Sequence, residues 1–391
     1  MDGVFSPRVF TGFGPNRLEP SGEPPTSHRI CAGKPVTLRA ELRQTCPTSP
    51  GVYAMIDGQG TLVYVGKAKH LRTRLLSYFR GRSRDPKAGR ILRQTREIVW
   101  ERAASEFAAL LRELELIQMW RPRFNVRGQP HRRRRTYICL GRPPAPYAFL
   151  ARRPPSGAIA FGPVPASRRA REALRWFNDI FQLRDCPQRQ PLAFADHKQL
   201  FPAPRAAGCL RYEIGTCLGP CTGICTSRSY MAQVRAALAF LEGTTTRIME
   251  ELEQSMAAAS EALAFERAAG LRNKLEALRW LREQLDWVQQ VRQEHSFLYP
   301  EVGVEGRSRW YLVHGGRVEK VVLAPSSAAS RREAVGAIKA VYQSKRRPLG
   351  LAAAEEVEAM LLVAGWFRRH PQERARTMSP SEALRRVAGG G

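Results

Sequence analysis

The sequence is short of acid. Against 63 Lys and Arg it carries 35 Asp and Glu, a formal net charge of +28. A chain so unbalanced attracts polyanions, and nucleic acid is the commonest soluble one. It is also short of lysine: nine of the 63 cations are Lys and 54 are Arg. Arg pairs bidentately with phosphate. GC-biased codon usage explains much of the Arg preference, but not the surplus of cations over anions. Nowhere does the chain show a run of about 18 apolar residues, which excludes a membrane-spanning helix. The opening MDGVFSPRVFTGFGPNRLEPSGEPPTSHRI lacks a continuous apolar core, which argues against a secretory signal, so a cytoplasmic protein is expected. Disulfides are not expected either. Of the cysteines at 31, 46, 139, 186, 209, 217, 221 and 225, several crowd one segment. In a chain without an export signal such crowding suggests a metal.

What is present suffices for ordinary cores: 43% of the residues are hydrophobic. A length of 391 residues implies two to four compact units, and the pattern predicts an α+β protein. Residues 1–45 read as a Pro/Gly-rich flexible tail and linker. A compact α/β unit with a short antiparallel sheet is expected over 46–127, and HRRRR at 131–135 marks its far boundary. Residues 128–226 read as a small mixed, Cys-rich middle domain. Residues 227–294 are rich in Ala, Leu, Glu and Arg with few breakers and read as helical. Residues 295–391 read as a small mixed region, with strand-like RWYLVHGG and VEKVVLAP followed by helical segments.

The chemistry concentrates in the second of these units. Gly51-Val52-Tyr53-Ala54-Met55-Ile56 and Thr61-Leu62-Val63-Tyr64-Val65-Gly66 are β-rich runs flanking the Gly-rich Asp57–Gly60. A two-residue II′ loop at Gly58-Gln59 puts Tyr53 directly opposite Tyr64, with both phenols on one face. Either tyrosine alone is simply a good strand residue; the facing pair is harder to dismiss. Between Lys67 and Arg96 stand eleven Lys/Arg and one Asp. Leu71, Leu75, Leu76 and Phe79 give a helical apolar stripe, and Lys67, Arg74 and Tyr78 lie off it. Most charge runs are solvated faces. One so one-sided, directly after the tyrosine pair, points to a phosphate-binding surface, with Lys69, Arg72, Arg80 and Arg82 as candidate DNA contacts. A third strand over Glu97–Trp100 then leads into the helix SEFAALLRELELIQMW. Ser105 is its expected cap, and Glu113 lies at the edge of its buried stripe. Periodicity alone makes Glu113 an ordinary border residue.

Taken together, Gly51-Val52-Tyr53, Tyr64-Val65-Gly66, Lys67-Ala68-Lys69, Arg74, Tyr78, Glu113 and Arg121-Pro-Arg-Phe-Asn125 resemble, in order and spacing, the GIY-YIG nuclease domain of the UvrC family. The resemblance implies a phosphodiesterase using one Mg²⁺ or Mn²⁺ held by Glu113. Tyr64 would help activate the attacking water with Tyr53 beside it. Arg74 would neutralise the transition state, and Lys67, Tyr78 and Asn125 would occupy supporting positions. His70 departs from a place where the family is often basic.

The four thiols of Cys186, Cys209, Cys217 and Cys221 suit zinc or an iron–sulfur cluster, and their spacing alone does not choose between them. CLRYEIGTCLGPC again resembles UvrC, which implies a 4Fe–4S cluster on those four, with Cys225 a nearby extra. The stretch from Met256 to Leu281 reads as an antiparallel helical pair, a plain helical hairpin, with Leu263, Phe265, Ala268, Ala269, Leu271, Leu275 and Leu278 on helical spacing. ALAFERAAGLRNKLEAL also resembles the UVR motif, which implies docking onto a UvrB-like partner through Phe265, Glu266, Leu271 and Leu275. Gly270 and Asn273 depart from that motif.

The resemblance covers about residues 46–325. It implies an endonuclease of nucleotide excision repair that acts on damaged double-stranded DNA and cuts 3′ of the lesion. No spaced Asp, Asp, His set for a second nuclease is found. Two rivals remain: a stand-alone 3′-incision nuclease like Cho, and a catalytically silent DNA-binding scaffold.

Overall fold

The computed structural model describes residues 9–20, 26–31, 34–80, 86–125, 135–186, 190–196, 209–343 and 354–388. The chain divides into two compact units. One comprises Met1–Arg133, Val291–Arg347 and Glu355–Gly391; the other comprises Arg134–Gln290 and Pro348–Ala354.

The first unit opens with β1 (Ser27–Cys31), α1 (Pro35–Thr45), β2 (Gly51–Ile56), β3 (Leu62–Ala68), α2 (Leu71–Ser77), α3 (Pro86–Gln94), β4 (Glu97–Arg102) and α4 (Glu106–Trp120). The strands form one antiparallel sheet in the order β1-β4-β2-β3. Strand alternation sorts its side chains onto two faces. Tyr53, Met55 and Trp100 join Leu38, Leu42, Leu71 and Leu75 of α1 and α2 on one face. Val52, Ala54, Val65 and Val99 join Ala109, Leu116 and Ile117 of α4 on the other.

The flexible tail expected over residues 1–45 is corrected here. Its later part supplies β1 and α1, and Phe10 and Phe13 are buried on the α4 face. The clasp is Arg112, whose guanidinium donates to the carbonyls of Phe13 (3.0 Å), Gly14 (2.8 Å) and Pro15 (2.8 Å). It also pairs with buried Glu101 at 3.4 Å and with Glu115 at 2.7 Å.

The hairpin register is corrected as well. Tyr53 faces Gly66, and Tyr64 faces Met55. The loop is longer than two residues because Asp57 organises it. Its carboxylate accepts the N–H groups of Gln59 and Thr61, both at 3.0 Å, and Gly60 takes the left-handed conformation (φ +76°). The register then shifts between Met55 and Ile56. Because the side-chain period is two, Tyr53 and Tyr64 still share a face, as diagonal neighbours. The basic run after Gly66 forms two helices, with Pro86 at the head of the second.

The second unit holds β5 (Arg135–Leu140), β6 (Ala148–Ala151), β7 (Ile159–Pro165), α5 (Arg168–Ile180), α6 (Leu210–Glu213), α7 (Ser227–Glu242), α8 (Arg247–Glu261) and most of α9 (Phe265–Glu294). Its three-stranded sheet is ordered β6-β5-β7. The core gathers Ile138, Val164, Phe177, Phe181, Tyr230 and Phe240 with Leu278, Leu281 and Leu285 of α9. The α8–α9 turn carries Leu263 at φ +56°, outside either helix.

The remaining part of the first unit comprises β8 (Phe297–Val302), β9 (Ser308–His314), β10 (Arg317–Leu323), α10 (Ala328–Tyr342), α11 (Ala354–Arg369), α12 (Pro371–Ala375) and α13 (Pro380–Ala388). It is no appendage. Phe107 of α4 lies among Tyr299, Tyr311, Trp366 and Phe367, with ring centroids 5.1–5.8 Å away. Arg309 on β9 pairs with Glu19 at 3.2 Å. Helix α4 is therefore held on two sides, by the β1–β4 sheet and by the β8–β10 sheet. Among the described residues no helix is long and apolar enough to cross a membrane.

Candidate active site

The site is built on β3, an edge strand whose outward backbone groups need partners. They find them in residues the sequence had singled out. Asn125 donates to the carbonyl of Val65 (2.8 Å) and accepts its N–H (2.9 Å), standing in for a neighbouring strand. Glu113 accepts the N–H of Lys67 at 3.1 Å. Local sequence explains both placements. Ser105 caps α4 by accepting the N–H of Ala108 (2.9 Å), which sets the phase of the helix. At the far end Arg121 adopts φ +50° and Pro122 forbids another turn, so the chain doubles back to lay Asn125 along β3.

On the sheet face opposite α4 the three tyrosines converge. Tyr53 is fully buried, and its hydroxyl lies 2.9 Å from that of Tyr78 and receives Arg74 Nε at 3.3 Å. The ring centroids of Tyr53, Tyr64 and Tyr78 are 6.1–6.4 Å apart. Such close passage over β3 needs Gly66, since a Cβ there would stand 2.5 Å from Tyr53 Cζ. Gly51 is required in the same way, because a Cβ would strike the Leu71 side chain at 2.6 Å. Burial pushes the Tyr64 phenol up, and the neighbouring Tyr78 and Glu113 push it further.

The cations divide. Arg74 sits over the Tyr78 ring, 5.3 Å from its centroid, and is exposed. Lys67 Nζ is paired with Glu106 at 3.0 Å, which ties the end of β3 to the first turn of α4. Lys69 and Arg80 are exposed. Arg72 is partly structural, since its Nε caps the carbonyl of Cys46. Arg82 lies outside the described residues. Sequence reasoning missed Lys87, whose Nζ lies 5.6 Å from the centroid of the Tyr64 ring. It also missed Glu106. Lys87 belonged to the conspicuous basic run, but nothing in the run's spacing distinguished it from its neighbours.

In the second unit the four cysteines expected as ligands sit on loops and on the margin of short α6. Cys217 is buried, and Cys186, Cys209 and Cys221 are half-buried. Burial pushes the Cys217 thiol up to about 11, opposed by the Gly219 N–H and Arg211 and reinforced by Cys209 and Cys186. Cys221 is raised by burial and then by the same two cysteines. The four thiols therefore share one neighbourhood. Even so, no three His, Cys, Asp or Glu among the described residues gather as a metal ion requires. Arg211 pins the segment through Asp179 (2.7 Å) and Asp185 (2.9 Å). Cys225, read as a nearby extra, packs into the hydrophobic core.

Of the expected partner residues, Phe265 is 64% exposed and Glu266 is exposed, while Leu271 is half-buried. Leu275 is corrected. At 1% exposure it belongs to the interior, because continuous α9 turns it inward with Leu278.

Three family models match the chain in succession. The UvrC-like GIY-YIG domain family matches residues 49–126, the middle domain of the UvrC/Cho excinuclease matches 136–240, and the UvrB/UvrC motif matches 246–279. The chain is 35% identical over 245 residues to the UvrABC system protein C of Pseudomonas savastanoi pv. phaseolicola, covering 61% of this chain and 38% of that protein. It is 37% identical, with the same coverage, to that of Pseudomonas syringae pv. tomato. The chain thus spans well under half the length of these relatives. A crystal structure of the GIY-YIG N-terminal endonuclease domain of UvrC from Thermotoga maritima, bound to magnesium, is 34% identical. It covers 22% of this chain and 97% of its own, with a TM-score of 0.20. From residue 49 to residue 279 the chain thus matches, in succession, models of the UvrC-like GIY-YIG domain, the UvrC/Cho middle domain and the UvrB/UvrC motif.

Proposed function

We propose that this chain is a metal-dependent DNA endonuclease of nucleotide excision repair, hydrolysing one phosphodiester on the 3′ side of a lesion. The reading rests on one juxtaposition: the Tyr53–Tyr64–Tyr78–Arg74 cluster on one face of the sheet, with the Glu113 carboxylate at the edge of the same strand that carries Tyr64. The donor set suits a hard divalent cation. One carboxylate is enough for Mg²⁺, which keeps several of its waters. Glu113 would hold it, and the metal would supply an acidified water and charge neutralisation. Tyr64 orients the attacking water through its hydroxyl. Tyr53, buried and bonded to Tyr78 and Arg74, fixes the guanidinium where negative charge develops on the phosphate. Lys67 and Asn125 hold β3 and α4 in register. The 3′ assignment follows the resemblance to the GIY-YIG half of UvrC.

We further read Cys186, Cys209, Cys217 and Cys221 as the ligands of a 4Fe–4S cluster, with zinc as the alternative. A single zinc needs four sulfurs about 2.3 Å from one point, a tighter gathering than a cubane, whose irons hold the thiolates further apart. The preference for the cluster over zinc follows the resemblance to UvrC, since the spacing of the thiols does not choose between them. The exposed Phe265 and Glu266 beside the α8–α9 turn, with Leu271, are read as the contact for a UvrB-like partner. Lys69, Arg72, Arg80 and Arg82 are read as contacts to damaged duplex DNA, with the activity in the cytoplasm.

The test is a duplex carrying one defined adduct, labelled at each end in turn and incubated with the full chain, a UvrB-type partner and Mg²⁺. A single cut 3′ of the adduct, absent in Glu113→Gln, is expected. A 5′ cut lost in the same variant overturns the strand assignment, and undiminished cutting by Glu113→Gln overturns the site.

A further inference from the structure

Between α2 and α3 a cleft of about 80 Å³ opens beside the tyrosine cluster. Its lining is selective. Arg74 and Lys87 supply two cations and Tyr64 and Tyr78 supply hydroxyls, while the Ser77 hydroxyl donates to the Arg74 carbonyl. The other lining residues are apolar, and no described carboxylate lines it. Cations with hydroxyl donors and no acid make a site for an anion, and charge-assisted hydrogen bonds to phosphate oxygens are among the strongest available. The cleft's size is that of a single phosphate group and not of a nucleoside. Lys87 is half-buried and lines the cleft, and its Nζ lies 5.6 Å from the centroid of the Tyr64 ring, within the range of a cation–π contact.

We propose that Lys87 is a further substrate-contacting residue of this nuclease, its ammonium taking a nonbridging oxygen of the scissile phosphate seated in the cleft between α2 and α3, with Arg74 on the opposing helix taking another. The inference rests on the nuclease reading above and adds a second protein cation to it. The phosphate would lie between two helices that the sequence joins by a short basic segment, with Tyr64 at its side. Lys87 neutralises charge on the equatorial oxygens as the attacking and leaving oxygens move in line, and it transfers no proton.

The experiment uses the full chain with the UvrB-type partner on the single-adduct duplex, under single-turnover conditions. Lys87→Gln should cut roughly a hundredfold more slowly, as for loss of one transition-state donor, with unchanged thermal unfolding. Lys87→Arg should recover most of the rate. A merely structural lysine is separated by stereospecific phosphorothioates at the scissile position. One diastereomer should slow the wild type several-fold without rescue by Mn²⁺, and that penalty should vanish in Lys87→Gln. Near wild-type cutting by Lys87→Gln, or an unchanged penalty at both diastereomers, overturns the role of Lys87 alone. No cutting by the wild type, or cutting that survives Glu113→Gln, overturns the nuclease reading and this inference with it.

Discussion

The two candidate metal regions of this chain are organised in opposite ways. Around Glu113 the groups are set by the polypeptide itself. A capped helix held on two sides, an edge strand whose backbone is satisfied by Asn125 and Glu113, and a tyrosine lodged over a glycine leave little freedom. Around Cys217 the groups come from loops and a four-residue helix, and the thiols lie near one another without closing on a point. A hard cation with retained waters asks the protein for one well-placed carboxylate. A soft cluster asks for four thiolates that are nothing without it, and in such sites binding energy is folding energy. On the proposed reading the first site would be preorganised for its metal, whereas the second would be organised by its cluster.

The sharpest way to break that comparison is Glu113→Gln. If the fold alone builds the first site, this variant keeps its unfolding curve and its DNA affinity while cutting falls to background. Loss of DNA binding in a gel-shift titration would show that the carboxylate is structural. Arg74→Ala tests the same rigidity from the phosphate side. Its rate should fall by about two to three orders of magnitude, because Tyr53 holds the guanidinium in place before substrate arrives.

The clasp comes next. Arg112 and Glu101 are each 1% exposed, so Arg112→Ala leaves a buried carboxylate without its cation. The first unit should lose about 3–5 kcal/mol in denaturant unfolding. Burial already pushes the Glu101 carboxyl up, with Arg112 opposing, and removing Arg112 raises it further. A group with a raised folded-state pKa stabilises below its unfolded value and loses that contribution as pH rises through the folded one. The deficit of Arg112→Ala should therefore be largest at neutral pH and shrink toward and below the ordinary carboxylate range. A pH-independent deficit would place the damage in lost packing of residues 13–15.

Much of this first site was legible because its parts are chemically distinctive and lie in order within about 75 residues. Tyr53, Tyr64, Arg74 and the Ser105 cap could be picked from the chain, while Glu113 stood out only through the family resemblance. What could not be read depends on contacts with no local pattern. The register of β2 on β3 is decided by one carboxylate, Asp57, closing a loop on itself. Residues 9–20 look like a tail because their few apolar residues stand among Pro and Gly without helical or strand spacing, and the anchor of Phe13, Arg112, lies about a hundred residues away. Strands β9 and β10 were legible, but β8 and the sheet's role as a wall for α4 were not, since the Glu19–Arg309 pair joins residues 290 positions apart. Leu275 was misassigned because helical spacing names a face without saying what covers it.

For the second metal region the corresponding variant is Cys217→Ser. If the metal organises the site, anaerobically prepared protein should lose its brown colour and its absorption near about 400 nm. The second unit should lose about 1–3 kcal/mol, the ordinary range for one disruptive substitution, while unfolding of the first unit is unchanged. A colourless wild type with stoichiometric zinc would replace the cluster and keep the ligands. An unaltered second unit in the variant would mean that the thiols are structural and that no metal organises them.

The smallest effect belongs to the α8–α9 turn, and it asks whether exposure there is functional. Phe265 is 64% exposed and Leu263 71%. Single apolar side chains on a surface are ordinary. Two of them, two positions apart around a tight turn with Leu263 in the left-handed conformation, form a tip whose hydration is unfavourable. Phe265→Ala should leave thermal unfolding within about 0.5 kcal/mol of wild type, because little of the ring is buried within the chain. An aromatic anchor at an interface typically costs more than 1 kcal/mol when truncated, so affinity for a UvrB-type partner should fall about tenfold in titration calorimetry. Glu266→Ala, at the rim, should cost less and lose its effect in high salt. Equal affinity of Phe265→Ala and wild type would leave the tip a plain turn and move partner contact elsewhere. A large loss of stability in the same variant would show that Phe265 packs within the chain despite its exposure.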